Sequence, residues 1–334
     1  MPSSHLVRHT LITISCSQND PDADRLAVAE KASVGDGGSW HIFTGNQLGV
    51  LLGHWCIQRH RAAAAPSNPV AKAAVLASVV SSRMLKHIAT VEGVQYHDTL
   101  TGQPYSYVDI YIYCLHSTNL FVPSGFKWLG NRALELRADG VDVLFAFEEA
   151  LGYCVGDAVC DKDGLSAAAV FLEMASQLKA QGISVVEHYR ALEAKYGIFV
   201  SYNSYVLCYD PAITDKIFAR LRDVRPDGGY WTECCGCRIV ALKDVTRGYD
   251  STSADHQSAL PATPDSHMIM YEFDNGVTVT LRTSGTEPKI KFYTEIAGAP
   301  GQTREALEGQ LHAFVDGLVN MMLQPDLHKL IRPS

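Results

Sequence analysis

The most informative stretch of this sequence is a short polar loop, Arg282-Thr283-Ser284-Gly285-Thr286-Glu287-Pro288-Lys289. It follows a strand-like run at 276–281, and that run begins at a tight Asp-Asn-Gly turn at 274–276. The guanidinium of Arg282 offers two parallel donors, and the hydroxyls of Ser284 and Thr286 add further ones. Gly285 lets backbone N–H groups approach a ligand closely. The pattern is typical of a loop that binds a phosphate oxyanion, and an ordinary polar hairpin exit is the alternative.

Length and composition indicate a globular protein with more than one domain. The chain has 334 residues, of which 47% are hydrophobic, enough for two or three domains with cores of their own. A formal net charge of −8 without a basic stripe argues against nucleic acid as a partner. No apolar run approaches the ~20 residues of a membrane helix. Residues 1–8 lack signal-peptide features and the nine cysteines lack spaced zinc-ligand pairs, so we expect a cytoplasmic protein with reduced thiols.

A second polar loop, at 19–25, carries three carboxylates on alternate positions, Asp20, Asp22 and Asp24. Carboxylates spaced in this way on a loop can direct their oxygens at one hard cation, most simply Mg²⁺. Arg25 follows directly and offers a phosphate group a second contact. The loop is therefore predicted to bind magnesium, and a solvated acidic turn is the alternative.

A pair of glutamates, Glu148 and Glu149, stands at the carboxyl end of a strand-like apolar run at 141–147. In open α/β sheets this edge is where ligands bind. Two adjacent carboxylates there can accept hydrogen bonds from neighbouring sugar hydroxyls, or they can cap the following turn.

The order of predicted elements divides the chain into two kinds of domain. Helices and strands alternate over much of the first 198 residues, as in an α/β domain. Within this part, 165–180 is predicted as a helix that is buried on all sides, and Ser184 with Glu187 as the capping box of the next helix. Beyond about 197–203, a strand, a helix and several hairpin strands predict a separate α+β domain.

Four motifs occur in an order that resembles the α-D-phosphohexomutase superfamily, most closely its branch of phosphopentomutases and glucose-1,6-bisphosphate synthases. The motifs are Asn-Asp-Pro-Asp-Ala-Asp-Arg (19–25), Gly-Asn-Gln-Leu-Gly (45–49), Phe-Glu-Glu-Ala-Leu-Gly-Tyr (147–153) and Arg-Thr-Ser-Gly-Thr-Glu-Pro-Lys (282–289). Each motif alone is moderately specific, and four in register are strongly so.

The resemblance implies a role for each matching residue. Asp20, Asp22 and Asp24 match the Mg²⁺ ligands, Arg25 an active-site arginine, and Lys127 a lysine near the reacting hydroxyl. By the same resemblance, two groups of residues bind the phosphosugar: Glu148 and Glu149 its hydroxyls, and Arg282, Thr283, Ser284, Gly285, Thr286 and Lys289 its non-transferred phosphate. The family reaction moves a phosphoryl group between an enzyme phosphoserine and the sugar through a bisphosphate. The implied cofactors are Mg²⁺ and, as an activator, glucose 1,6-bisphosphate.

The resemblance also implies a division into domains. Residues 1–44 are expected to be the remnant of a mixed α/β metal-binding domain, 45–198 a full mixed α/β sugar-binding domain with an insertion at about 103–125, and 199–334 the α+β phosphate-binding domain. The family's phosphoserine loop has no counterpart upstream of Asp20, so we expect a truncated form with weak or no turnover and poor solubility. Residues 1–18 and 103–125 also depart from the family pattern, and we hypothesise that they are translated introns or gene-model errors, which transcript sequencing tests.

Two other classes of function fit parts of the sequence. One is a non-catalytic remnant that binds sugar phosphates. The other is a haloacid-dehalogenase-like phosphatase, in which Asp20 would be an aspartyl nucleophile after a strand. The phosphatase hypothesis leaves the loop at 282–289 without a role. Trapping of an acyl-phosphate on Asp20 would support the phosphatase hypothesis.

Overall fold

The computed structural model describes residues 14–16, 22–31, 39–63, 72–101, 126–224 and 229–333. The described residues fall into two compact units. The first unit contains the described residues up to Ala77, together with Leu85–His97 and Gly130–Tyr196. The second contains Ser78–Met84, the described part of Asp98–Leu129, and the described residues from Gly197 onward.

The first elements that the structure describes are a small antiparallel sheet and a long helix. The strands β1 to β3 pair in sequence order, each antiparallel to the next. The elements are β1 Ile14–Cys16, β2 Val28–Lys31, β3 Trp40–Ile42 and helix α1 Gly45–Ala63. Thr44 and Gln47 bond each other at the start of α1, each side chain accepting from the other's backbone N–H.

The middle of the chain builds a four-stranded sheet in the order β5-β4-β6-β7. Strands β4 and β6 run parallel, and β7 returns antiparallel to β6. The elements are β4 Ala73–Ser78, α2 Met84–Val91, β5 Gln95–Thr99, α3 Lys127–Ala138, β6 Asp142–Glu148, β7 Gly152–Val155, α4 Gly164–Ala180 and α5 Val185–Tyr196. All six residues of β4 are buried, as expected for a central parallel strand covered on both faces. The predicted α/β class is confirmed.

The second unit is built on an antiparallel sheet whose main path is β11-β10-β12-β13-β14-β8, with β9 paired to β10. The elements are β8 Phe199–Leu207, α6 Pro211–Arg222, β9 Glu233–Cys234, β10 Cys237–Asp244, β11 Tyr249–Asp250, β12 Met268–Phe273, β13 Val277–Thr283, β14 Lys289–Ala297, α7 Arg304–Leu318, a π-helical turn Val319–Leu323 and α8 Pro325–His328. Alternate residues of the strands, such as Ile269 and Tyr271 on β12, enter one core with apolar residues of α6 and α7. The elements from β8 onward have the α+β composition predicted for the C-terminal part of the chain, and the unit also includes Ser78–Met84 and described residues of Asp98–Leu129.

Two local predictions are confirmed and one is wrong. Ser184 and Glu187 form the predicted capping box, with distances of 2.8 and 3.1 Å between each backbone nitrogen and the other's side-chain oxygen. Helix α4 has the predicted extent, but its Leu165 and Leu172 are 63% and 53% exposed, so it is not buried on all sides. The helix packs through one face only, where Phe171 and Met174 are fully buried.

Other predictions concern parts of the chain that the structure leaves out or does not test. Asp20 and the stretch 102–125 lie outside the described residues. The boundaries of the three expected domains stay predictions. Among the helices that are described, none combines the length and the hydropathy needed to cross a membrane.

Candidate functional site

The loop before β2 is fixed against strand β7 and the start of helix α4. The backbone N–H of Leu26 donates to Leu151 O at 3.2 Å, and that of Gly164 donates to Ala23 O at the same distance. A Cβ at Gly164 would lie 2.4 Å from the carbonyl oxygen of Arg25, so only glycine permits this approach. Two elements distant in sequence therefore fix the backbone that carries Asp22, Asp24 and Arg25.

Asp24 is the predicted metal ligand whose surroundings are best defined. Its Oδ2 lies 3.2 Å from the Nζ of Lys162, and its side chain is 24% exposed. Its Oδ1 is buried and has no hydrogen-bond partner among the residues that the structure describes. An unpartnered carboxylate oxygen of this kind fits a hard cation, so Asp24, with Asp22 beside it, suits Mg²⁺. Within the described ranges no cluster of three potential ligands forms.

Glu148 and Glu149 lie at the carboxyl end of strand β6 in the four-stranded sheet, as predicted. Glu148 is the last residue of β6, and Glu149 begins the turn into β7. Burial of Glu148, together with the negative charge of Glu149, raises the pKa of its carboxyl to about 7, although Lys162 and Arg25 oppose the shift. A buried carboxyl with this pKa exchanges a proton near neutrality, so it can act as a donor or as an acceptor toward a hydroxyl.

Lys162 was missed as a site residue by the sequence prediction. Its side chain is only 6% exposed, and it passes over Gly152, where a Cβ would lie 2.4 Å from the lysine Cδ and 2.9 Å from the Cγ of Glu148. Burial acts to lower the pKa of Lys162, but the charges of Asp161, Glu148 and Asp24 outweigh it and raise the pKa. The one available signal was a lysine between two aspartates just after a strand, which also fits a helix cap.

The predicted phosphate loop connects β13 to β14. Thr283 pairs with Ile290 at the end of the ladder, and the N–H of Ser284 donates to Lys289 O at 2.9 Å. That N–H is therefore used within the loop, and Ser284 keeps its hydroxyl for a ligand. Arg282 is half-buried, and its Nε has no hydrogen-bond partner within the described part of the chain. Because an unpartnered buried N–H is costly, Arg282 suits an anionic ligand.

Part of the positive charge of the loop is neutralised within the loop itself. Glu287 contacts both lysines of this stretch, with its carboxylate oxygens 2.6 Å from the Nζ of Lys289 and 3.8 Å from that of Lys291. Hydrogen bonding to Lys289 lowers the pKa of Glu287. Lys289 therefore holds the loop conformation, and Arg282 remains the cation suited to a phosphate. The exposed Gly285 and Thr286 form the tip of the loop.

Two cavities of the second unit are lined in part by residues of the loop. The larger one measures about 360 Å³ and is lined by Thr283, Ser284 and Lys289, among others. The smaller one measures about 30 Å³ and is lined by Arg282, Gly285 and other residues. A volume of the larger size is within the range of small-molecule sites.

A chain of polar side chains, of which Arg222 and Asp244 are buried, contacts the start of the loop, and the sequence prediction missed it. His267 lines both cavities, and its backbone N–H donates to the hydroxyl of Thr283 at 3.1 Å. The Nδ1 of its ring lies 3.1 Å from a nitrogen of Arg222, which is paired in turn with Asp244. The ring Nε2 lies 2.9 Å from Asp215. Since a guanidinium only donates, Nδ1 accepts and Nε2 carries the hydrogen that Asp215 receives.

Lys127 begins helix α3 and is 8% exposed. It belongs to the second unit, whereas Glu148 and Asp24 belong to the first. The residues just before Phe126 lie outside the described part, so its role near a reacting hydroxyl stays a prediction.

Known proteins resemble this chain in sequence. A family model described as phosphoglucomutase/phosphomannomutase, alpha/beta/alpha domain III, matches residues 108–196. Glucose 1,6-bisphosphate synthase of Mus musculus is 40% identical over 316 residues, which cover 93% of this chain and 46% of the relative. Phosphopentomutase of Homo sapiens is 39% identical over 313 residues, covering 93% of this chain and 47% of the relative. The chain thus spans about half the length of these relatives.

A solved structure supports the fold. The open form of the exocytosis-sensitive phosphoprotein pp63/parafusin, a phosphoglucomutase from Paramecium, superposes with a TM-score of 0.56 at 15% identity. The match covers 95% of this chain and 46% of that one. Sequence similarity over 93% of the chain to these two relatives, together with the matching family model, shows that the chain belongs to the α-D-phosphohexomutase superfamily.

Proposed function

We propose that this chain carries the metal-binding, sugar-binding and distal-phosphate-binding parts of a phosphosugar mutase. The proposed reaction is an intramolecular transfer of a phosphoryl group on glucose 1-phosphate or on ribose or deoxyribose 1-phosphate, through a sugar bisphosphate. The observation that carries the proposal is Arg282, a half-buried arginine in a loop of hydroxyls and glycine, whose Nε has no hydrogen-bond partner among the described residues. Such a group is suited to a phosphate that stays on the substrate during the transfer.

The carboxylates of the first unit supply the second part of the proposal. Glu148 and Glu149 stand side by side at the end of β6, and adjacent carboxylates can accept from two neighbouring hydroxyls of a sugar. A mutase must hold its sugar in two orientations, with either phosphate at the distal site. Acceptors that recognise a pair of hydroxyls, without distinguishing which is which, serve both orientations.

The loop at 20–25 supplies the third part. Asp22 and Asp24, with Asp20, would hold Mg²⁺, which when bound neutralises charge on a phosphoryl group in transfer. Arg25 is exposed beside them and can contact the same phosphate. These side chains position and stabilise a phosphoryl group, and the transfer also requires a nucleophile that accepts it.

The names of the relatives suggest which sugar phosphates to compare. One is named a glucose 1,6-bisphosphate synthase and the other a phosphopentomutase. We therefore propose a hexose or pentose 1-phosphate as substrate and glucose 1,6-bisphosphate as activator.

The test is calorimetric titration of this chain with glucose 1-phosphate and ribose 1-phosphate in the presence of Mg²⁺. We expect Arg282→Met to weaken binding of both by about tenfold or more, since a charge-assisted pair is lost. Arg238→Met is the matched control, because Arg238 is 75% exposed and lies on β10. If the two variants bind alike, the phosphate loop is not the distal site.

Turnover distinguishes an enzyme from a binding protein. The chain is assayed with Mg²⁺ and catalytic glucose 1,6-bisphosphate, alone and fused to the remaining half of the Mus musculus relative. Turnover of the fusion that Arg282→Met reduces supports the mutase. Binding without turnover in either form supports the non-catalytic alternative.

A further inference from the structure

We infer that Lys162 acts as a built-in counter-ion of the loop at 20–25, called here the metal loop. The lysine orients Asp24, weakens the binding of a cation to the loop and favours the binding of a phosphate. The inference deepens the proposed function and rests on its metal loop. It assigns a positioning role to a residue that no sequence motif indicated.

The first argument is the geometry of the Lys162–Asp24 pair. The ammonium lies 3.2 Å from Oδ2, and its side chain is 6% exposed, against 24% for the carboxylate. The other oxygen, Oδ1, has no hydrogen-bond partner among the described residues. The lysine thus occupies one oxygen of Asp24 and leaves the second available to a cation, which fixes the carboxylate's orientation.

The second argument is that the surrounding backbone fixes the lysine itself. The N–H of Lys162 donates to the carboxylate of Asp161 at 2.7 Å. The next residue, Asp163, donates its N–H to Tyr153 O at 2.8 Å and caps helix α4 with its carboxylate. The side chain then crosses Gly152, the position where any Cβ would collide with it. A side chain held at both ends of its path loses little entropy in making the ion pair.

The third argument is the balance of charge. Asp24, Asp161, Glu148 and Glu149 place four carboxyls around this edge, and Lys162 supplies a buried positive charge among them. A fixed cation beside a metal ligand reduces affinity for another cation and raises it for an anion. Loss of the lysine charge should therefore shift the two affinities in opposite directions, whereas general loosening of the site would weaken both.

The experiment is a titration of the full chain with Mn²⁺ followed by electron paramagnetic resonance, since Mn²⁺ has the oxygen preference of Mg²⁺. We expect Lys162→Met to bind Mn²⁺ about tenfold more tightly and glucose 1-phosphate several-fold more weakly than the unchanged chain. Lys162→Arg, which keeps the charge, should shift the Mn²⁺ affinity far less. Lys179→Met, at an exposed lysine in the last turn of α4, is the matched control.

Two further measurements keep failures apart. Asp24→Asn should abolish Mn²⁺ binding, so that the signal of free Mn²⁺ no longer falls when the chain is added. If the variant still binds Mn²⁺, the metal loop of the proposed function is wrong. If binding depends on Asp24 but Lys162→Met binds Mn²⁺ equally or less tightly, the role of Lys162 is overturned. Circular dichroism confirms that each variant folds, and Lys162→Gln replaces the methionine variant if that one does not.

Discussion

The ion pair between Arg222 and Asp244 allows a sharp test of the second unit. Both side chains are buried, at 5% and 0% exposure. Two bonds join them, from Nε to Oδ2 at 2.6 Å and from a terminal nitrogen to Oδ1 at 3.2 Å. The hydroxyl of Tyr230 donates to Oδ2 as well, at 2.9 Å. We expect Asp244→Asn to destabilise this unit strongly, because it leaves the guanidinium of Arg222 buried without its counter-charge.

The magnitude follows from the burial of both partners. Removing one partner of a buried pair costs about 3–5 kcal/mol, and the retained amide oxygen of asparagine favours the lower end. With a urea dependence of about 1–3 kcal/mol per molar, a loss of about 3 kcal/mol lowers the unfolding midpoint by about 1–3 M. A domain is stable by only about 5–15 kcal/mol, so the effect is readily measured.

Urea unfolding followed by tryptophan fluorescence measures this midpoint. Asp316→Asn is the matched control, since Asp316 is 69% exposed and lies 3.4 Å from an exposed arginine, Arg332. We expect the control to change stability by less than about 1 kcal/mol. If Asp244→Asn costs no more than the control, the buried pair does not stabilise this unit as argued. Because Arg222 also contacts His267, which anchors Thr283, the variant should also bind glucose 1-phosphate more weakly.

Three further predictions concern the first unit. Burial lowers the pKa of His54 to about 4, below its unfolded value, so its contribution of up to about 3 kcal/mol is complete above pH 6.5 and lost toward pH 4. Urea unfolding midpoints at pH 5 and pH 7 measure this contribution. If the difference between the two midpoints is unchanged in His54→Gln, the prediction is wrong. The pKa of Glu148 is about 7, so glucose 1-phosphate should bind more tightly from pH 6 to 8 as this carboxylate forms. In Glu148→Gln, binding should depend on pH only through the titration of the phosphate itself. A pH profile identical to that of the unchanged chain would refute the role of Glu148. Gly152→Ala should cost about 1–3 kcal/mol because its Cβ would lie 2.4 Å from Lys162, whereas Gly309→Ala, in open space on a helix, should be neutral or stabilising; equal midpoints would contradict this.

Local pattern was enough to predict much of the fold. Alternation of apolar residues gave the strands around the phosphate loop, since a strand buries every second residue. Turn and cap chemistry gave the capping box of Ser184 and Glu187, because those bonds span only three residues. The position of Glu148 at the end of β6 followed from the same local reasoning.

Burial of whole faces could not be predicted in this way. The apolar surface of α4 reads as buried on all sides, yet Leu165 and Leu172 are exposed. Periodicity describes the helix alone, and which face is covered depends on the element packed against it.

The neutralisation of Lys289 by Glu287 was accessible from sequence, since both residues stand in one short loop.

The sequence by itself determined the family, the alternation of elements and the two loops that carry Asp24 and Arg282, because motifs and periodicity are local properties of the chain. Tertiary structure alone decided that Lys162 meets Asp24 and that Arg222 joins Asp244 to His267. Those contacts join residues from separate elements, and their energies depend on burial and on distances of about 3 Å. Such quantities exist only once the chain has folded, because water screens the same charges in the unfolded state.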